Sequence, residues 1–297
     1  MIEPTNSSNQ KRPIRRRILI FMLLVLILIG INLVYPLAAN WQPILSGEPG
    51  ELLYVAAFDG FMDEWQQYEG RTSAQIADGV MRIGVETSAT IYSAAAPTFK
   101  DFDASVIVSV VDGSLQNEGV GLVFRLQESS SVCDRAFILA CGLADMPLLG
   151  TPIRLLFPHK NTGATGFYVF LISDDGYYAI WRSNENNQLE KATVWHYSDG
   201  LIHEGLNVEN TIRVVGNGSQ FSFYINDQQV ELCIPHAGEQ PTGNAINCLG
   251  DRQMIWTDST LKTGKLGLVV NTNQFPGTIA EFDDFTVISP DHAGDQL

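Results

Sequence analysis

The sequence predicts an all-β protein, a sandwich of two antiparallel sheets, preceded by one transmembrane helix. Three observations predict this architecture. A basic stretch precedes a long apolar run near the N-terminus, short runs rich in β-branched and aromatic residues follow, and Gly, Asp and Asn separate those runs. Outside the apolar run, no stretch keeps a helical period over three turns.

The N-terminal segment predicts a signal anchor. Five basic residues precede an apolar run that extends from residue 18 to 39. About 20 apolar residues span a bilayer as a helix, whereas the apolar part of a secretory signal has about 7–15. Because basic residues stay in the cytoplasm, we expect a cytoplasmic tail at 1–17, a transmembrane helix at 18–39 and an extracellular remainder anchored in the cell membrane. A cleaved signal peptide is the alternative, although Pro36 or Leu37 would then fill a position that prefers a small residue.

The chain after the apolar run divides into a linker, one domain and a tail. Residues 40–50 hold two prolines and two glycines and are expected to form a linker. Residues 51–290 are expected to form one sandwich, and residues 291–297 a tail. The runs that predict strands are ELLYVAAF, GVMRIGVE, TIYSAAA, FDASVIVSVV, GVGLVFRLQ, GFYVFLIS, GYYAIWRS, KATVWHY, NTIRVVG, SQFSFYIN, QVELC, KLGLVVN and TIAEFDDFTVIS.

Alternation within the runs and turn residues between them support the strand assignment. In SQFSFYIN, the odd-numbered residues from Phe221 to Ile225 point to one face and the even-numbered residues from Ser222 to Asn226 to the other. Turn residues occur in SDDG (173–176), GNGS (216–219) and NDQQ (226–229).

The charge of the chain argues against a nucleic-acid partner. Five of the 18 Lys+Arg and one of the 33 Asp+Glu precede residue 40, so the remaining residues carry 13 basic and 32 acidic side chains, a formal charge of −19. Nucleic-acid binding needs a basic surface that neutralises phosphates. We therefore expect no nucleic-acid partner.

Four cysteines lie in two stretches, VCDRAFILAC and CIPHAGEQPTGNAINC. An extracellular domain lies where disulfides persist, and no C-x-x-C zinc spacing is present. We expect local disulfides, Cys133 with Cys141 and Cys233 with Cys248. Pairing between the two stretches, metal ligation and a reactive thiol stay open as alternatives.

Seven segments follow one another from residue 58 to 288: FDGFMDEW, DGVMRIGV, GVGLVFR, GFYVFLISDDGYYAIWR, NTIRVVGNGSQFSFYINDQQV, GKLGLVV and EFDDFTV. This arrangement resembles the concanavalin A-like lectin and glucanase jelly rolls, with laminin G-like and 3-keto-disaccharide hydrolase-like domains nearest. The resemblance implies a jelly roll whose first and last strands lie side by side, a glycan on the concave sheet and, in many members, calcium. Insertions at about 128–165 and 233–263 depart from the pattern, and alternating strand directions place both at the same end of the sandwich.

The resemblance does not extend to catalysis. The glucanase branch carries E-x-D-x-x-E, and the similar string here, EFDDFT at 281–286, has Thr286 where the second acid belongs. Retaining glycosidases need two carboxylates about 5 Å apart. No such pair can be identified in the sequence.

A ligand site is predicted on the hairpin at 166–183. A turn of two or four residues across SDDG would place Tyr168, Phe170, Tyr177 and Trp181 on one face, where flat rings suit the C–H faces of sugars. An arginine beside two glycines in GVGLVFR would add hydrogen-bond donors. The predicted ligand-binding residues are Arg125, Tyr168, Trp181, Arg213 and Tyr224. The alternative is that these aromatic residues simply fill the core.

A calcium site is the other feature that the resemblance implies. Asp59, Glu281, Asp283 and Asp284 would come together if the terminal strands pair, and calcium prefers several carboxylate oxygens. The alternative is that these acids form turns and face solvent.

The expected function is that of a membrane-anchored extracellular lectin-like module that binds carbohydrate and is not catalytic. The alternative is a structural or protein-interaction ectodomain of a cell-envelope complex, with a protein partner on the insertions. The apolar segments 146–150 and 153–157 in the first insertion favour it. A third and less favoured function is that of a carbohydrate-active hydrolase.

Overall fold

The computed structural model describes residues 19–23, 26, 43–60, 62, 64–113, 119–128, 164–183, 188–236, 244–245, 248, 250–272 and 277–291. Pro43–Glu128 and Gly163–Leu297 belong to one compact unit, and Met1–Gln42 and Ser129–Thr162 to another. In the latter, residues 19–23 are helical. Within the described ranges, no helix has the length and apolar character needed to cross a membrane. The predicted span at 18–39 lies mostly outside these ranges.

The described part of the chain is built from strands, and their bounds are as follows. They are β1 (Ile44–Leu45), β2 (Leu52–Ala56), β3 (Thr72–Ala77), β4 (Val80–Val85), β5 (Ala89–Phe99), β6 (Phe102–Asp112), β7 (Gly119–Glu128), β8 (Ala164–Ile172), β9 (Tyr177–Ser183), β10 (Leu189–Lys191), β11 (Trp195–Tyr197), β12 (Asn210–Asn217), β13 (Gln220–Ile225), β14 (Gln228–Gln229), β15 (Leu232–Ile234), β16 (Asn244–Ala245), β17 (Asp251–Gln253), β18 (Trp256–Thr257), β19 (Gly264–Thr272) and β20 (Thr278–Ile288).

Two large sheets make up the sandwich. Sheet A has the order β1-β5-β19-β7-β8-β9-β11-β16, with β10 also on β9. Sheet B has the order β14-β13-β12-β6-β20-β4-β3, with β18 on β13 and β2 on β20. The β1–β5 and β11–β16 pairs are parallel, whereas the long strands pair antiparallel. The predicted sandwich of two antiparallel sheets is confirmed.

The terminal strands of the domain lie side by side in sheet B. Leu52 is opposite Ile288 and Ala56 is opposite Phe285, so β2 extends the sheet beyond β4 along the same edge of β20. This pairing confirms the expected contact between the first and last predicted strands, ELLYVAAF and TIAEFDDFTVIS.

The main core lies between the sheets because alternate side chains of each strand point inward. In β13, Phe221, Phe223 and Ile225 are fully buried, whereas Tyr224 is partly exposed, so the predicted alternation is confirmed. The ring of Phe124 in β7 lies 5.3 Å from that of Phe221 across the interface. Burial of each such side chain contributes about 1.5–3 kcal/mol, which makes this contact a main source of sandwich stability.

The register of the β8–β9 hairpin differs from the prediction. Tyr168 is opposite Arg182 and Ile172 is opposite Tyr178. The Ser173 amide also donates to the Tyr177 carbonyl at 2.8 Å, so the pairing continues to these two residues and the loop beyond them has three residues, 174–176. Gly176 has φ of 87°, a left-handed conformation that is common in such loops. The odd loop length turns β9 over relative to the expected pairing, so the prediction that Tyr168 and Trp181 share a face is wrong.

The faces of the hairpin follow from this register. Tyr168 and Phe170 point into the main core together with Tyr178, whereas Trp181 lies on the outer side of sheet A. Apolar residues on that outer side form a second buried cluster: Ala94, Val123, Leu126, Phe167, Val169, Leu171, Ala179, Trp181, Trp195 and Val269. The expected aromatic ligand platform is therefore divided between two buried clusters.

Arg125 also departs from its predicted position beside the glycines of β7. The register of β7 against β8 shifts between Phe124 and Gln127, and Arg125 has φ of 55°. This bulge turns Arg125 away from the face of Val123, and its side chain is fully buried.

Candidate functional site

A cleft opens at the end of the sandwich where β8 begins and β9 ends. It has a volume of about 330 Å³. Its lining residues are Thr165, Gly166, Tyr168, Arg182, Ser183, Glu190, Asp258, Thr260 and Leu261. Thr165 closes the first predicted insertion, and residues 258–261 belong to the second. Residues of both insertions thus meet at one end of the sandwich, as the alternation of strand direction predicts.

Tyr168 connects the core to this cleft. Its ring is 2% exposed and packs at 4.9 Å from Trp256 and 5.4 Å from Phe124, between ring centroids. Its hydroxyl donates to Asp258 Oδ1 at 2.7 Å and accepts from the Leu261 amide at 3.1 Å. Burial and the hydrogen bond to Asp258 raise the pKa of Tyr168, so the hydroxyl stays protonated and remains a donor.

Asp258 is a buried carboxylate at the inner wall of the cleft. Its side chain is 8% exposed, and the Thr260 amide donates to Oδ1 at 2.8 Å. Burial acts to raise the pKa of Asp258, but hydrogen bonds from Thr260 and Tyr168 and the charge of Arg182 outweigh it and lower the pKa. Asp258 is therefore ionised at neutral pH.

Arg182 supplies the positive charge of the cleft. Its Nη1 lies 3.3 Å from Asp258 Oδ2, and 49% of its side chain is exposed. Arg182 shares the inward face of the hairpin with Tyr168, but it lies at the end of β9, where that face opens to solvent. A fixed acceptor and an exposed planar donor thus lie side by side.

The arrangement is suited to ligands that carry several hydroxyl groups. A sugar hydroxyl both donates and accepts, so neighbouring hydroxyls can donate to Asp258 and accept from Arg182. The hydroxyls of Thr165, Ser183 and Thr260 add further donors and acceptors along the wall. A volume of about 330 Å³ lies within the range of small-molecule sites.

Arg125 holds the loop behind the cleft and does not line it. Its guanidinium donates to the carbonyls of Lys262 and Gly218 and lies 5.3 Å from the Phe102 ring centre. Burial lowers the pKa of Arg125 to about 10, although the Asp101 carboxylate acts in the opposite direction. Arg125 therefore fixes the segment next to Leu261 instead of contacting a ligand.

Trp181 does not line the cleft either. It is 7% exposed, its indole lies 6.1 Å from that of Trp195, and Lys191 Nζ lies 5.8 Å from its ring. The side chains of Arg125, Tyr168 and Trp181 are buried, as the core-packing alternative predicts. Of these three, Tyr168 alone lines the cleft, and its hydroxyl is the part that reaches it.

Arg213 and Tyr224 come together on the outer face of sheet B. They are opposite each other in β12 and β13, and the guanidinium lies 4.7 Å from the ring centre. Arg213 Nε also donates to Asp103 Oδ1 at 2.6 Å. The hydrogen bond and charge of Asp103 raise the pKa of Arg213 against the effect of burial. This pair does not share a site with Tyr168.

The residues of the predicted calcium site divide into two sets: Glu281, which pairs with Arg82, and the group of Asp59, Asp283 and Asp284. Glu281 accepts from Arg82 Nε at 2.9 Å. Burial and the carboxylates of Asp284, Asp59 and Glu209 raise the pKa of Asp283. Within the described ranges, no three His, Cys, Asp or Glu side chains form a metal-binding group. Calcium binding by these residues stays a prediction. A comparison of the melting temperature with calcium and with a chelator tests it.

The second cysteine stretch is closed by a disulfide between Cys233 and Cys248, which matches the expected local pairing. Cys233 lies in β15, which pairs with β17. The disulfide therefore links the residue at which the second predicted insertion begins to Cys248 within that insertion. Cys133 and Cys141 lie outside the described residues.

Two residues of the cleft, Asp258 and Arg182, were not among the predicted site residues. For Arg182, the position at the end of a strand signals that a charged side chain can reach solvent there. Asp258 lies in TDST, where an Asp followed by Thr at the second position is typical of a side chain that bonds its own backbone. That signal predicts a turn and does not by itself reveal a ligand site.

Comparisons with solved structures find distant similarities. The carbohydrate-binding module CBM66 from Bacillus subtilis is 12% identical with a TM-score of 0.45, over 83% of this chain and 100% of that one. A Bacillus subtilis protein of unknown function with a galectin-like fold is 13% identical with a TM-score of 0.47, over 82% and 97%. A Bacillus licheniformis beta-glucanase is 7% identical with a TM-score of 0.43, over 82% and 100%.

At such low identities and TM-scores, these similarities carry no argument about this chain. No protein-family model matches it, and no curated protein matches it. The class of protein is therefore defined by its own geometry: a two-sheet β-sandwich with a polar cleft at one end.

Proposed function

We propose that this protein is a membrane-anchored extracellular lectin-like module of the concanavalin A-like jelly-roll type, which binds carbohydrate in the cleft lined by Asp258 and Arg182. One observation carries the proposal. An ionised, buried carboxylate with a lowered pKa lies 3.3 Å from a half-exposed arginine in a cleft of suitable size. This pair offers both hydrogen-bonding partners that adjacent sugar hydroxyls need.

Binding without catalysis is the form of this function that the protonation state of Asp258 supports, although Glu190 also lines the cleft. A glycosidase needs a carboxylic acid that donates a proton to the leaving oxygen, and such acids have raised pKa values. The pKa of Asp258 is lowered, so this side chain is a hydrogen-bond acceptor and not a proton donor at neutral pH.

The protein-interaction alternative depended on the apolar segments 146–150 and 153–157. Both segments lie outside the described residues. The proposal therefore stays with the cleft, whose contacts are described.

A glycan array with matched arginine variants tests the proposal. Arg182→Ala removes the exposed donor of the cleft, and Arg213→Ala removes an arginine of similar exposure on the other sheet. We expect the parent chain to bind one class of glycan, Arg182→Ala to lose that binding and Arg213→Ala to keep it.

Three results would contradict the proposal, each in a different part. Glycan binding that survives Arg182→Ala would contradict the assignment of the binding site to this cleft. If the parent chain binds no glycan, the proposal of a carbohydrate partner is wrong. If sugar is released from a bound oligosaccharide, the proposal that the module is not catalytic is wrong.

A further inference from the structure

The first two strands form a lateral edge of the sandwich, which we call the N-terminal edge and define as residues 44–55. In the described structure, β1 pairs with β5 at the margin of sheet A, and β2 pairs with β20 in sheet B. Three large apolar side chains on this edge are exposed: Ile44 at 50%, Leu52 at 58% and Val55 at 52%. In the part of residues 43–291 that the structure describes, seven large apolar side chains are exposed, and three of the seven lie within residues 44–55.

The N-terminal edge is bonded firmly to the end of the domain. The Gly50 amide donates to the Ser289 carbonyl at 2.9 Å, and the Ser289 hydroxyl donates to the Gly47 carbonyl at 2.8 Å. The Ser289 amide donates in turn to the Glu51 carbonyl at 2.8 Å. The segment predicted to be a linker is thus part of the folded domain from Ile44 onward.

This bonding leaves a short connection to the proposed anchor. The apolar run ends at residue 39, so residues 40–43 alone separate it from Ile44. Five residue steps extend at most about 18 Å. The 11 residues of β20, by comparison, span about 37 Å at the rise of an antiparallel strand. The domain cannot move a full strand length away from a bilayer that holds residues 18–39.

We propose that the N-terminal edge rests on the membrane surface, with Ile44, Leu52 and Val55 in contact with the interfacial region of the lipids. This inference rests on the membrane anchor of the proposed function. The tether keeps Ile44 within about 18 Å of the end of the proposed span. Contact with lipid then removes half-exposed apolar side chains from water.

Charge selects the kind of lipid. Glu48 and Glu51 are exposed on the same edge, and the chain after residue 39 carries a formal charge of −19. An anionic surface repels these groups, whereas a zwitterionic one does not. The edge therefore fits a phosphatidylcholine-like surface better than a phosphatidylglycerol-rich one.

Fluorescence quenching of the full chain in nanodiscs tests this inference. An environment-sensitive dye is attached at Val55→Cys, or at Leu206→Cys as a control, since Leu206 is similarly exposed at 43% but lies outside the edge. Labelling is done without reductant, and the unsubstituted chain treated in parallel serves as the blank. The discs contain phosphatidylcholine with or without a lipid that carries a quencher at interfacial depth.

We expect quencher lipid to remove most of the fluorescence at Val55→Cys and little at Leu206→Cys, and we expect phosphatidylglycerol to weaken the effect at low salt. Equal quenching at both positions would overturn the inference while the anchor stands. Self-quenching of the Val55 dye that grows with protein per disc would overturn it in favour of a second copy on the edge. A chain that fails to float with phosphatidylcholine vesicles would instead overturn the proposed anchor.

Discussion

Two arginines of this sandwich each lie against an aromatic ring and near an aspartate, one inside the molecule and one on its outer face. Arg125 is buried beside Phe102 and Phe221, and its Nη2 lies 3.9 Å from Asp101. Arg213 stacks on Tyr224 and bonds directly to Asp103. The two aspartates flank Phe102 in the sequence: Asp103 lies in β6, whereas Asp101 precedes that strand.

The pKa shifts of the two arginines have opposite signs. Burial lowers the pKa of Arg125, whereas the close carboxylate raises the pKa of Arg213. For the buried arginine, loss of solvation is the larger effect, and its donors are used by the carbonyls of Lys262 and Gly218. The same combination of arginine, aromatic ring and aspartate therefore has two structural roles. Around Arg125 it holds a loop in place inside the molecule, and around Arg213 it forms a pair of side chains on the surface.

Arg125→Ala should have the largest effect on stability. It removes a fully buried side chain and leaves two carbonyls without their donor, which should lower the free energy of unfolding by about 3–5 kcal/mol. Urea unfolding followed by tryptophan fluorescence measures the loss. Arg125→Met fills most of the volume and should cost less than Arg125→Ala. If Arg125→Ala lowered the free energy of unfolding no more than Arg213→Ala does, the structural difference drawn between the two arginines would be wrong.

Tyr168→Phe should come next, because it removes only one hydroxyl. That hydroxyl donates to an ionised Asp258, and a hydrogen bond to a charged group contributes about 1.5–3 kcal/mol. Tyr224→Phe, on the outer face beside Arg213, is the matched control and should change stability by less than about 0.5 kcal/mol. Equal costs of the two substitutions would show that the Tyr168–Asp258 contact contributes little.

The stability that Asp258 contributes should depend on pH. Its pKa is lowered on folding, so its contribution is present above the pKa of the unfolded state, about 3.9, and is lost as the pH falls through the lower folded value. Unfolding of the parent chain and of Asp258→Asn, measured from neutral to acid pH, should show a difference that shrinks below about pH 4. A difference that grows as the pH falls would contradict the lowered pKa.

Arg213→Ala should have the smallest effect. Its side chain is 38% exposed, so solvent screens the pair with Asp103, and the loss should be about 1 kcal/mol or less. High salt should reduce that cost, whereas the cost of Arg125→Ala should change little because its site is buried. Measurements at low and high salt separate the two cases. A salt-independent cost of several kcal/mol for Arg213→Ala would place it in the same class as Arg125.

The sequence predicted most of the long strands because each carries its own alternation, but it missed β3 and the short strands β1, β16, β17 and β18. Phe221, Phe223 and Ile225 are buried as their spacing indicates, and β2 pairs with β20 as the resemblance implies. The pairing of Cys233 with Cys248 also followed from short separation within one stretch. These features depend on residues that are close in the chain or on the order of strands.

The candidate site was predicted poorly because small local changes decide which face a side chain occupies. A loop of three residues instead of two or four separates Tyr168 from Trp181, and a bulge turns Arg125 inward. The Tyr168–Asp258 contact joins residues 90 positions apart. No pattern within either segment identifies the other.

The sequence by itself determined the all-β class, most of the long strands, the acidic surface and the expectation of an anchored, disulfide-bonded domain, because periodicity, composition and charge are local properties. The tertiary structure alone decided where the cleft lies. Its carboxylate, its tyrosine and its arginine come from a loop and two strands, and register and backbone bulges, which depend on the summed packing of the whole sandwich, bring them together.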